Sequence, residues 1–94
     1  MKLEIPYRVA KNGDEAFELL EERLTPDFLS QFKLKIEVEV NKDKGIIEGN
    51  GKGFKVCFTF QEERCLVEIS LSFLLKPLSS KISKGLEDGL RDLL

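Results

Sequence analysis

Apolar and polar residues alternate along much of this chain, and each alternating stretch predicts a strand with one buried face. Leu3, Ile5, Tyr7 and Val9 alternate with Lys2, Glu4, Pro6 and Arg8. Pro6 cannot donate to a ladder, which places this strand at a sheet edge or at a bulge. Leu34, Ile36, Val38 and Val40 alternate with Lys35, Glu37 and Glu39. A turn over Asn41–Gly45 leads to a short strand, Ile46–Gly49. Asn50-Gly51 is the strongest short hairpin signal, with Gly53 as a spare. Phe54, Val56, Phe58 and Phe60 form the next inward row. After the loop Gln61-Glu62-Glu63-Arg64, the residues Cys65, Val67, Ile69, Leu71 and Phe73 continue it.

Two stretches carry a helical period instead. Asn12 followed by Glu15 has capping-box spacing, and Ala16, Leu20 and Leu24 then recur every fourth residue, flanked by Phe17 and Leu19. Asp14, Glu15 and Glu18 suit the positive end of the helix dipole. Thr25-Pro26 ends this helix and opens a second, short piece over Pro26–Gln31. The last helix shows an apolar stripe of Leu78, Ile82, Leu86, Leu90 and Leu93. It follows Leu74-Leu75-Lys76-Pro77, where the proline ring suits a first helical turn.

Side-chain parity sets the register of the central hairpin. With Phe60 opposite Cys65, Phe58 meets Val67, Val56 meets Ile69 and Phe54 meets Leu71. Cys57 then meets Glu68, and Lys55 meets Ser70, on the other face. A slip of one residue would set every apolar side chain against a polar one. Cys65 therefore points inward and Cys57 outward, an arrangement that opposes a disulfide between them. Leu66 and Thr59 join Cys57 on the outer face, where an uncovered patch would favour a homodimer by sheet stacking.

The predicted order is β-α-(short α)-β-β-β-β-α. This is an α+β, two-layer single domain spanning residues 1–94, with a curved antiparallel sheet of about five strands covered on one face by the C-terminal and N-terminal helices. The order resembles a shortened helix-grip fold. Gly85 and Gly89 fall inside the last helix, where each costs about 1 kcal/mol relative to alanine. The helical wheel puts Gly89 mid-stripe, so rings from Phe54, Phe58 or Phe60 are expected to fill the space beneath it. Left unfilled, that space becomes an apolar slot lined by Phe54, Val56, Phe58, Ile69 and Leu71 from the sheet and by Leu86 and Gly89 from the helix.

Composition narrows the chemistry. The chain has 94 residues and a formal net charge of −2, with 41% hydrophobic and 34% charged residues. No run of apolar residues approaches a membrane span, and Met-Lys-Leu-Glu-Ile-Pro-Tyr lacks a signal-peptide core; a cytoplasmic location is expected. Two cysteines there read as free thiols. The absence of basic stripes argues against nucleic-acid binding. There is no histidine, which removes Ser-His and Cys-His nucleophile pairs and imidazole metal sites. No metal or cofactor is expected.

Short motifs add little. Ser30-Gln31-Phe32-Lys33 fits a Ser-x-x-Lys string but falls at a helix end with no companion motif. Gly49-Asn50-Gly51-Lys52-Gly53 fails phosphate-loop spacing and joins two strands. Glu15, Glu18, Glu21 and Glu22 spread round a helix and read as a solvated face. Lys81, Lys84 and Arg91 share an outer helix face with Glu87 and Asp88, a surface that reads as solvated charge or as weak docking for an anionic partner.

Gly53-Phe54-Lys55-Val56, Val67 through Pro77 and the closing Ile82, Leu86, Leu90, Leu93 and Leu94 resemble the polyhydroxyalkanoic acid system protein family of bacteria, also described as granule-region proteins. The N-terminal strand followed by the helix containing Glu15-Ala16 is similar too, so the resemblance covers nearly the whole chain. Its most distinctive piece is Leu74-Leu75-Lys76-Pro77 after an alternating strand. The chain departs from the family pattern over Thr25–Phe32 and lacks the tryptophan often found in the second strand. The resemblance implies a non-enzymatic accessory protein of polyhydroxyalkanoate metabolism, binding a protein partner or a storage-granule surface. It supplies no catalytic residues. The alternative expectation is a carrier of a small apolar acyl or lipid ligand in the helix-grip slot.

Overall fold

The computed structural model describes residues 2–23 and 36–94. The expected piece over Pro26–Gln31, the Thr25 cap, Leu24 and Leu34 lie outside the described residues, as does the Ser30–Lys33 string. The elements run β1 (Lys2–Pro6), α1 (Gly13–Arg23), β2 (Ile36–Asn41), β3 (Ile46–Gly51), β4 (Phe54–Phe60), β5 (Arg64–Leu71), a 3₁₀ turn (Lys76–Leu78) and α2 (Ser79–Leu93). The chain is α+β, with an open five-stranded antiparallel sheet of order β1-β5-β4-β3-β2.

The meander β2–β5 pairs neighbour with neighbour, and β1 returns to the outer edge of β5. The register of β4 on β5 pairs Phe60 with Cys65, Phe58 with Val67, Val56 with Ile69 and Phe54 with Leu71. Leu3 extends the Phe58–Val67 row on one side and Ile47 on the other. This row faces the core: Ile47 and Val67 are wholly buried and Phe58 nearly so. Cys57 and Glu68 face outward, as parity requires.

Both helices close on the same buried cluster. The amide of Glu15 donates to Asn12 Oδ1 at 2.9 Å, satisfying one of the free N–H groups of the first turn. Behind this cap, Ala16, Phe17 and Leu20 are buried, and the rings of Phe17 and Phe60 meet edge to face at 5.5 Å. α1 packs over β4 and β5, whereas α2 packs chiefly over β1, with Leu90 and Leu94 as its buried anchors. The backbone oxygen of Leu94 accepts hydrogen bonds from three successive amides, those of Arg8, Val9 and Ala10. The end of α2 is thereby fastened to the segment leaving β1.

Four expectations need correction. The β3–β4 hairpin turns at Lys52-Gly53, not at Asn50-Gly51, because Gly51 pairs with Phe54. Gly53 carries φ 90, a left-handed conformation that glycine adopts at least cost. Phe73 leaves the inward row. β5 ends at Leu71, opposite the first residue of β4, and among the described residues no strand pairs beyond it. Val9 is likewise exposed, because β1 ends at Pro6. Finally, Gly85 and Gly89 face outward, and a side chain on either would meet nothing within 4 Å. The wheel misplaced them because it counts Leu78 into the buried stripe, whereas Leu78 lies in the 3₁₀ turn and is exposed. The buried face of α2 centres on Leu90, a full residue step round from Gly89.

Candidate functional site

Five of the residues expected to line an apolar slot come together on the inner sheet face. Phe58 and Ile69 are buried; Phe54, Val56 and Leu71 are half-buried and occupy adjacent cross-strand pairs. Leu86 packs against the same cluster from α2. Gly89 does not join them, since it is exposed. Glycine gaps do exist here, but in β3. The ring of Phe54 occupies the space above Gly51, and a Val56 methyl lies 3.1 Å from where a side chain on Gly49 would begin. One ring and a valine methyl thus cover the strand glycines, and the exposed helix glycines open no slot over the sheet.

Two clefts among the described residues lie elsewhere. One, of about 270 Å³, sits between the start of α1 and the β2–β3 turn, lined by Asp14, Phe17, Glu18, Lys42 and Phe60. The other is a hollow of about 490 Å³ over the β2–β3 turn, edged by charges of both signs, Glu39, Asp43 and Glu48 against Lys42 and Lys44. Among the described residues, no group of three or more His, Cys, Asp or Glu side chains could hold a metal ion.

The titratable groups whose affinity for protons shifts move away from reactivity. Burial, and then Cys57, push the Cys65 thiol up to about 12. Burial raises Cys57 too, against a hydrogen bond with Thr59, while Glu48 and Glu68 add to the rise. A nucleophilic cysteine needs the opposite shift. The Tyr7 hydroxyl donates to the Gln61 carbonyl at 2.7 Å, and burial, then Cys65, raise its pKa. The Tyr7–Gln61 bond ties the segment after β1 to the β4–β5 loop.

The most unusual surface is the corner between β5 and α2. Phe73 and Leu74 are each 85% exposed, and Leu78 is 47% exposed. The corner is built by its backbone. The Ser72 amide donates to the Gly53 carbonyl at 2.7 Å, and the Ser72 carbonyl receives the amides of Leu75 and Lys76 at 3.0 and 3.1 Å. These bonds close a tight turn whose two middle side chains point out. Leu75 tucks back toward Gly53, so the hairpin tip Lys52-Gly53 and the corner share one end of the molecule.

That end is also basic. The segments Gly49–Gln61 and Ile69–Leu86 contain five lysines (Lys52, Lys55, Lys76, Lys81, Lys84) and no Asp or Glu. All five are exposed. Ion pairs elsewhere join Lys2 to Glu68, Arg8 to Asp92, Arg64 to Glu4 and Arg91 to Glu87; among the described residues none involves these lysines. Hydrophobic patterning hid this site, because Phe73 continues the alternation of β5. The two carboxylate-free segments were its legible signal. On the outer sheet face, Cys57, Thr59 and Leu66 are half-buried beside Ile46, a smaller and more polar patch.

Comparison with protein-family models, with curated proteins and with solved structures found no match for this chain.

Proposed function

We propose that this chain is a non-enzymatic accessory protein of the polyhydroxyalkanoate, granule-associated type, and that it works by seating its β5–α2 corner on an apolar surface. The observation that carries this reading is the pair Phe73 and Leu74, each 85% exposed on a turn held by backbone hydrogen bonds. Adjacent large apolar side chains held out into water cost solubility, and such patches mark contact surfaces. The sequence resemblance supplies the class of surface, a storage granule. The shifts of Cys57 and Cys65 away from thiolate, with no histidine in the chain, favour binding over catalysis.

Fractionation of a polyester-producing cell tests the proposal. The chain should sediment with isolated granules, and Phe73→Ser with Leu74→Ser should release it. A wholly soluble distribution of the unmodified chain would overturn the reading. The carrier reading rests on the half-buried row Phe54, Val56 and Leu71. It predicts saturable uptake of a fatty acid, and a titration without saturation removes it.

A further inference from the structure

The exposed corner joins two properties that seldom coincide on one surface. Its apolar side chains are raised on a turn, and among the described residues the cations around them form no ion pair with a carboxylate. We infer that the corner is an anchor for an anionic lipid surface. Phe73, Leu74 and Leu78 enter the boundary between headgroups and acyl chains, while Lys52, Lys76 and Lys81 stand at headgroup level and pair with phosphate or carboxylate groups. The inference rests on the corner being the working surface proposed above, and it adds the chemistry of the partner.

Charge complementarity selects this occupant. The whole chain is acidic, with 17 carboxylates against 15 cations, so its long-range field gives an anionic surface no general attraction. Attraction must be local, and Lys52 at the hairpin tip with Lys76 and Lys81 beside the corner supplies it. The first turn of α2 carries no acidic residue, so the positive end of its dipole is left uncancelled by local carboxylates. An apolar wedge with a basic collar is the combination by which proteins lie on membranes without crossing them. In accord with that mode, no helix among the described residues is long and apolar enough to span a bilayer. A nucleic acid would also answer the lysines, but it would leave Leu74 and Leu78 without a role. Single strands are held by successive stacking rings, and among the described residues Phe73 is the one exposed aromatic ring at this corner.

Co-sedimentation of the full chain with vesicles is the test. Vesicles of phosphatidylcholine mixed with an equal part of phosphatidylserine should retain the chain, and vesicles of phosphatidylcholine alone should not. Raising the salt should weaken retention, because the headgroup attraction is screened. Each of Lys52→Gln, Lys76→Gln and Lys81→Gln should weaken binding about fivefold. Phe73→Ser with Leu74→Ser should weaken it at least about tenfold, and the exposure of both residues means that the variant keeps its fold, which circular dichroism checks. The chain has no tryptophan, so Leu74→Trp provides a single indole whose emission should shift to the blue on anionic vesicles. Equal retention by neutral vesicles, no retention by either kind, or retention unchanged by the serine pair would each overturn the inference. So would binding to an oligonucleotide that vesicles fail to compete. The two readings separate cleanly: a chain found on granules but indifferent to anionic vesicles overturns the lipid anchor alone. A chain bound to vesicles but absent from granules overturns the granule role alone.

Discussion

The ring of Phe54 lies over Gly51, its cross-strand partner, in the space that a side chain on Gly51 would need. Aromatic cover of a strand glycine restores the apolar contact that the missing side chain cannot make. Gly51→Ala should therefore force the ring aside and lower stability by about 1–2 kcal/mol, as overpacking does. In a Phe54→Ala background the same substitution should cost almost nothing, so a double-mutant cycle by urea unfolding should return a coupling of at least about 0.5 kcal/mol. Additive effects would disprove the contact.

Alanine at the helix glycines should act in the opposite direction. Gly85 and Gly89 are exposed, and added side chains there meet nothing within 4 Å. Each substitution should stabilise by up to about 1 kcal/mol. For a domain of this size that corresponds to a rise in Tm of about 4–8 °C. A loss of stability would show that the helix glycines face a partner group.

The two thiols should separate by rate. Cys57, half-buried on the outer face, should react with a thiol reagent in the folded state, whereas buried Cys65 should react only as fast as the chain opens. Reaction of both at one rate would contradict the opposite facing of the two residues.

Stability should fall at alkaline pH. The folded chain holds the Cys65 proton up to about pH 12, while an unfolded thiol releases its proton near its ordinary value of 9.0. Below pH 9 both states are protonated and the group has no effect. From pH 9 to about 12 the unfolded state ionises first, so stability drops by as much as about 1.4 kcal/mol per pH unit. Tyr7, also shifted upward by burial, steepens the fall above its ordinary value of 10.0. Cys65→Ala should flatten the slope measured by denaturant titration at successive pH values, even where it lowers stability overall.

Leu94 should be among the most sensitive positions of α2. It is wholly buried, and its backbone oxygen gathers the amides of Arg8, Val9 and Ala10. Leu94→Ala should cost about 2–5 kcal/mol, a large share of the stability of a small domain. Hydrogen exchange should then accelerate in α2 and at Arg8–Ala10, with β3 and β4 affected less.

How far the sequence could be read depended on how much of the answer was local. The β4–β5 register was legible because side chains alternate with a period of two, and the Phe58–Val67 pairing leaves no acceptable slip. The β3–β4 turn was not. A turn at Asn50-Gly51 and one at Lys52-Gly53 put the same residues on the same faces, so parity cannot choose between them. The longer ladder and the bond from Ser72 to the Gly53 carbonyl decide it. The exposure of Phe73 was illegible for a different reason. Alternation reports residue type and cannot say whether a neighbouring strand continues. The slot beneath Gly89 was illegible because residue type cannot show that Leu78, at the margin of the stripe, lies exposed in a 3₁₀ turn.

The bond cluster at Leu94 also orders events during synthesis. Strands β2 to β5 can pair as each leaves the ribosome, since every partner is the next neighbour. Strand β1, made first, must wait for β5, and the amides of Arg8, Val9 and Ala10 must wait longer still, for Leu94. Until then β1 lies on the edge of β5 by its ladder alone, without the Leu94 fastening, and each time it frays the edge of β5 is open to other chains. A pause in translation between β5 and the end of α2 should therefore raise aggregation more than one placed before β2.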